Sequence, residues 1–192
     1  IKDTIKNINI VIGCSIGCSY CYARMNNNRF HTIDDFNKPV FFENKLKMLD
    51  NKRHTAYLLT GQSDLSGWNE EWKDKVFSKM KENENTQYIF LTKRPENIKL
   101  KETPDNGWFS VTVTSSKEKT RIDYLRNNIK AKHYHITFEP MFDDVEKLDL
   151  SNISWIVIGT ETGNRKGKIS SKREWVFNIY NQAKEKNIPV FM

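Results

Sequence analysis

The residues best suited to chemistry are Cys14, Cys18 and Cys21, the three cysteines of the chain, gathered in the segment Gly13-Cys-Ser-Ile-Gly-Cys-Ser-Tyr-Cys-Tyr-Ala-Arg24. An odd set crowded into one loop makes a poor disulfide framework. It suits a reducing interior and a metal site. The spacing C-x3-C-x2-C lets one loop wrap three irons of a four-iron cluster. The fourth iron is then left without a protein ligand, and that open position can take a substrate or cofactor. Gly13 and Gly17 give the loop the backbone freedom such a wrap needs. A structural zinc site completed by His31, His54, His133 or His135 competes for the same thiols. None of these histidines has close zinc-knuckle spacing, and structural zinc ligands usually come as two pairs.

A loop of this kind needs a scaffold. Short apolar runs, rich in β-branched and aromatic residues, read as strands at Ile8 to Ile12, Ala56 to Thr60, Tyr88 to Thr92, Trp108 to Val113, Tyr134 to Phe138 and Trp155 to Gly159. A further run at Pro189 to Met192 begins where the sequence stops. Helical stripes lie between them: Phe42, Leu46 and Leu49; Trp72, Val76 and Met80; Ile122, Leu125 and Ile129; Trp175, Ile179 and Ala183. Ser171 and Glu174 have capping-box spacing before the last stripe. Pro95 and Pro104 leave little room for a helix in the third connection. Asn26 to Asn28 read as a polar loop. The alternation predicts an α/β fold, a partial (β/α)6 barrel of parallel strands with outer helices, formed as one domain over residues 1–192. A closed eight-unit barrel typically needs about 250 residues. In such folds the working groups sit at the C-terminal ends of the strands.

Several candidates stand at those ends. Thr60, Gly61, Gln62, Ser63 and Asp64 follow the second strand, as a polar turn in which Asp64 is placed to cap a helix. Lys93 and Arg94 end the third and could face an anionic group or simply water. Thr114 closes the fourth. Glu139, before Pro140, closes the fifth, and a carboxylate there must be solvated, hydrogen-bonded or paired. Glu161 lies in the glycine-containing loop after the sixth.

C-x3-C-x2-C after a first strand, with the aromatic Tyr20 just before the third cysteine, resembles the radical S-adenosylmethionine (SAM) superfamily. The loop is also similar to that of spore photoproduct lyase-like proteins. It is closer to that of small phage- and bacterium-borne radical SAM proteins of unclear substrate. Those small proteins also resemble this chain at Ser63-Asp64-Leu65, Phe138-Glu139-Pro140 and Gly159 to Gly163. The resemblance implies a 4Fe-4S cluster on Cys14, Cys18 and Cys21, with SAM on the open iron and Tyr20 near its adenine. It also implies polar contacts to SAM from residues 60–64, Thr114, Glu139 and Glu161, and roles for Glu139, Lys93 and Arg94 around the reaction. Thr60 to Asp64 departs from the Gly-Gly-Glu-like segment usual in the superfamily; only Gly61 matches. The implied reaction is reductive cleavage of SAM to a 5′-deoxyadenosyl radical, which abstracts hydrogen from a substrate. It needs an external one-electron reductant such as flavodoxin or ferredoxin, and is oxygen-sensitive.

With the three cysteines used, none remains for an auxiliary cluster or as a hydrogen-atom donor. Tyr22, Tyr88 and Tyr134 are the alternative donors. The chain carries 31 Lys and Arg against 24 Asp and Glu, a net charge of +7, which favours anionic partners. Together with Lys93, Arg94, Trp68 and Trp108, this points to a nucleic acid or nucleotide substrate. A peptide or small metabolite, or a non-enzymatic metal-binding module, are the other readings. No signal peptide or membrane-spanning run is visible, so a cytoplasmic protein without membrane contact is expected, with trimming at either end left open.

Overall fold

Four strands form the centre of the molecule because their residues are apolar enough to be covered on both faces. The computed structural model describes residues 5–51 and 55–192, so His54 lies outside the described residues. The central strands are β5 (Gln87–Thr92), β6 (Gly107–Thr112), β7 (His133–Phe138) and β8 (Ile153–Ile158). They are flanked on one side by β4 (Ala56–Leu58) and β1 (Ile5–Asn7), and on the other by β9 (Val190–Phe191). The seven strands run in the order β1-β4-β5-β6-β7-β8-β9, and every neighbouring pair is parallel. The sheet curls into a half-barrel with helices outside it, as the alternation of patterns requires.

The helices are α1 (Tyr22–Phe30), α2 (Glu70–Glu82), α3 (Arg121–Asn128) and α4 (Arg173–Glu185). Asn69 caps α2 by accepting from the Trp72 amide at 2.9 Å. Glu70 and Glu71 in its first turn, and Lys79 and Lys81 in its last, complement the helix dipole. This helix buries Val76, Phe77 and Met80. Phe77 packs edge-on against Phe90 and Phe109, which stack on each other at 5.0 Å. Each such buried ring contributes about 1.5–3 kcal/mol over an exposed one.

Phe90, Phe109, Ile136 and Ile156 thus face the helices, and strand alternation turns the intervening residues to the concave face. From the C-terminal end downward, that face carries Thr112 and Thr137, then Ser110, His135 and Trp155, then Trp108 and His133.

The structure corrects several expectations. Ile8 to Ile12 is not one strand: β1 ends at Asn7, and Val11–Ile12 (β2) turns away to pair antiparallel with Val40–Phe41 (β3). Asn26 to Asn28 lie inside α1, where buried Asn27 bonds both the amide and the carbonyl of Ile33 at 3.0 and 2.9 Å. The Phe42, Leu46 and Leu49 stripe lies on a 3-10 turn over Glu43–Asp50. The Ser171–Glu174 capping box does not form, because the Ser171 hydroxyl donates to the Met141 carbonyl at 2.9 Å and Lys172 takes the cap position. Trp68 is buried, and Trp108 is half-buried with its indole N–H donating to Gln87. Neither tryptophan is free to stack on a nucleic acid. Among the described residues, no helix is long and apolar enough to cross a membrane.

Candidate functional site

The strands' C-terminal ends open into a cavity of about 450 Å³, within the usual range for small-molecule sites. Cys14, Cys18 and Cys21 line one wall as half-buried free thiols. Their loop is pinned at both ends. The Gly13 amide donates to the Gln62 carbonyl at 2.9 Å, and the Cys14 amide donates to the Phe36 carbonyl at 2.6 Å. Gly13 has φ +115°, and a Cβ there would come within 2.8 Å of Pro39 Cα, so glycine is required for this approach. At the other end Cys21 is the N-cap of α1, its sulfur accepting from the Arg24 amide at 3.4 Å. Arg24 closes the loop by donating to the Cys14 carbonyl at 2.8 Å, with its guanidinium 5.0 Å from the centre of the Phe36 ring.

Burial pushes the Cys14 thiol above its ordinary value. A backbone hydrogen bond from Ile16 opposes this, and the charges of Asp64, Cys18 and Cys21 add to it. A cation set among these groups reverses that preference, since thiolate is the metal-binding form. Burial also raises the Tyr20 phenol, helped by neighbouring Cys18. The Tyr20 ring meets Phe142 edge-on at 5.3 Å, and Lys93 Nζ lies 5.8 Å from its centre. Both Tyr20 and Lys93 line the cavity.

Residues 60–64 form the wall beside the cysteine loop, and most of their polar groups are engaged in holding it. Thr60 Oγ1 accepts from the Leu91 amide at 2.6 Å, and Ser63 Oγ accepts from the Trp68 indole at 3.0 Å. The Gly61 carbonyl accepts from the Tyr22 hydroxyl at 2.6 Å. Buried Asp64 accepts from the Ser66 amide and hydroxyl, the Thr92 hydroxyl and the Lys93 amide, at 2.7 to 3.0 Å. It therefore caps the following 3-10 turn and fastens it to the end of β5. The Gln62 side chain has no such partner among the described residues and borders the cavity.

The remaining sequence candidates separate. Glu139 lines the cavity, is exposed, and has no ion-pair or hydrogen-bond partner among the described residues. Gly159 makes room for it: a Cβ there would meet Glu139 Cγ and Oε1 at 2.9 Å. Glu161 also lines the cavity, but its carboxylate is buried in a two-pronged pair with Arg165, which holds it below the usual carboxylate range. Thr114 is not part of the lining; its amide and hydroxyl both donate to Glu118 at 2.7 Å. Arg94 is not part of it either, and its amide donates to Thr92 Oγ1 at 3.0 Å.

Other residues come to the site unannounced by motif. Thr112 and Thr137 form its floor, a position legible only once the strand register is known. Of the three tyrosines considered as hydrogen donors, Tyr22 reaches the cavity. Tyr88 is buried against the Leu49 carbonyl, and Tyr134 donates to the Ile129 carbonyl at 2.6 Å. The loop after β8 lines the cavity with Thr162 and Gly163 and continues as a basic run: Thr162 to Arg173 holds Arg165, Lys166, Lys168, Lys172 and Arg173 and no carboxylate. Counting charge along windows of the sequence would have found it.

Among the described residues, no three His, Cys, Asp or Glu side chains are gathered as ligands for a single metal ion. On a cubane cluster each thiolate takes a different iron, so its three sulfurs stand wider apart than ligands sharing one ion. Three free thiols on one wall of one cavity, in a pinned loop, are a donor set that fits such a group. No curated protein and no solved structure matches the chain. The family model described as protein of unknown function (DUF5131) matches residues 1–192, and the chain belongs to that family.

Proposed function

We propose that this protein is a radical SAM enzyme. The observation that carries the reading is the union of the C-x3-C-x2-C thiols and the unpaired Glu139 carboxylate in one cavity, at the C-terminal end of a curled parallel sheet. When bound, a 4Fe-4S cluster with SAM supplies one-electron cleavage of the sulfonium, giving methionine and a 5′-deoxyadenosyl radical that takes hydrogen from a substrate. Cys14, Cys18 and Cys21 would hold three of the irons.

The chain's own residues set the conditions. Glu139 offers a carboxylate to an ammonium or hydroxyl group, and Gly159 leaves it the space to do so. Lys93 offers a positive charge to a carboxylate or phosphate. Ile16, Phe36, Leu58 and Leu91 supply apolar wall that excludes water and competing hydrogen donors. Tyr20 presents a ring held in place by Phe142, suited to a planar heterocycle. Tyr22 lines the cavity and would be the tyrosine to pass or receive a hydrogen atom there, its hydroxyl now donating to the Gly61 carbonyl.

The test is anaerobic reconstitution with iron and sulfide, reduction by flavodoxin, ferredoxin or dithionite, addition of SAM, and measurement of 5′-deoxyadenosine. The expected result is 5′-deoxyadenosine from the wild type and none from the triple Cys→Ala protein. Zinc in place of iron and no SAM binding would overturn the assignment in favour of a structural metal module.

A further inference from the structure

The substrate class is written in the two sides of the cavity mouth. On one side the run Thr162 to Arg173 carries five cations and no carboxylate, and its first residues line the cavity. Arg165 is neutralised by Glu161, and Lys172 lies 3.9 Å from Glu174. Lys166, Lys168 and Arg173 remain without a carboxylate partner among the described residues. Across the mouth stands α1. Residues 22, 25, 26, 29 and 30 share one side of a helix with 3.6 residues per turn. On that side Tyr22, Met25 and Phe30 are 53%, 55% and 64% exposed. Tyr22 and Met25 line the cavity, and Arg29 lies 5.0 Å from the centre of the Phe30 ring. The Tyr22 ring is fixed by its hydroxyl bond to Gly61, so it loses little freedom on contact.

Exposed rings on a helix that lines the cavity, with a run of cations on another lining loop, suit a chain that alternates planar groups with negative charges. The cavity between them, at about 450 Å³, has room for a nucleoside-sized group. A base in a duplex is held in its stack and cannot enter without being extruded. We propose that the mouth docks a single-stranded nucleic acid and presents one of its nucleotides to the cavity. This deepens the radical SAM reading and rests on it for the chemistry, whereas docking itself needs neither cluster nor SAM.

The experiment measures anisotropy of a fluorescein-labelled thymidylate oligonucleotide over a range of salt, with polyphosphate as a base-free competitor. Binding is expected to weaken with salt, and K166E/K168E is expected to weaken it at least tenfold and flatten the salt slope. Tyr22→Ala and Phe30→Ala are each expected to weaken oligonucleotide binding about tenfold while leaving polyphosphate binding unchanged. Circular dichroism checks that the variants fold. Absence of binding at low salt, insensitivity to both sets of substitutions, or polyphosphate competing as well as the oligonucleotide at equal charge would overturn the proposal. Variant-sensitive binding without SAM cleavage would leave docking standing and remove the enzymatic reading. SAM cleavage without oligonucleotide binding would do the reverse.

Discussion

The mouth and the floor of the half-barrel lie on the same concave side, yet their side chains are in opposite states. At the floor, Trp108 stacks on His133 with ring centres 4.4 Å apart, Trp155 meets Trp108 edge-on, and His135 lies 5.1 Å from Trp155. Their neighbours occupy these rings. At the mouth, the thiols, Glu139 and the Gln62 amide border open space. The floor residues sit within β6, β7 and β8, the mouth residues on loops beyond the strands; what changes is whether an adjacent ring covers the residue. A polar or reactive group on a parallel sheet is thus informative mainly at the strands' C-terminal ends, where loops rather than neighbouring rings surround it.

That contrast can be broken by substitutions that ought to affect one region alone. The largest effect is expected from Cys18→Ala: SAM cleavage falls to background, while the melting temperature of the metal-free protein barely moves, because the residue is half-buried in a loop. Anaerobic 5′-deoxyadenosine assays beside calorimetry decide this. Asp64→Ala should cross the boundary. It strands donors that the carboxylate now satisfies, costs about 3 kcal/mol in urea titrations, and disturbs the site through Lys93. An unchanged urea midpoint would show that water replaces those bonds.

Glu139→Gln sharpens the comparison from the other side. With no partner to lose, stability should change by no more than about 0.5 kcal/mol. SAM cleavage should fall about 10- to 100-fold, the range for a charge-assisted hydrogen bond. Equal loss of stability would place Glu139 in the scaffold instead.

The smallest effect on SAM cleavage belongs to the floor, where the change is one of stability and is read against pH. Burial pulls the pKa of His135 down to about 3. The folded state therefore prefers the neutral imidazole, while the unfolded chain takes up a proton below about 6.5. The stability this residue contributes is complete above that value and is lost as pH falls toward 3. The slope is about 1.4 kcal/mol per pH unit. His135→Leu should remove that part of the slope in urea titrations between pH 4 and 6 without altering SAM cleavage at neutral pH. An unchanged slope would mean that His135 is hydrated in the folded state.

The sequence patterns located the sheet well where burial is two-sided. Runs such as Tyr-Ile-Phe-Leu-Thr in β5 have no polar alternation to mislead. They failed where a distant partner decides. Ile8 to Ile12 is continuous in sequence, but Val11 and Ile12 pair with Val40 and Phe41, a choice no local periodicity records. Helix α1 escaped notice because it buries only Ala23 and Asn27, too few for an apolar stripe. Ser171 has the spacing of a cap but finds the Met141 carbonyl, thirty residues away, instead. At the site, the cysteines and Glu139 were legible by spacing and by position after a strand. Thr112 and Thr137 were not, since facing the cavity depends on register. Lys93 and Arg94 are adjacent and chemically alike, and only the first lines the cavity.

Asp64 also has a consequence in time. One carboxylate grips the turn after β4 and the first residue beyond β5, so the two loops cannot fluctuate separately without breaking its bonds. The Lys93 amide lies just past the end of a strand, yet it should exchange its hydrogen nearly as slowly as amides inside the sheet. Opening should come in a single event that releases the Ser66 amide as well, so that two adjacent strand ends of the cavity wall share one clock.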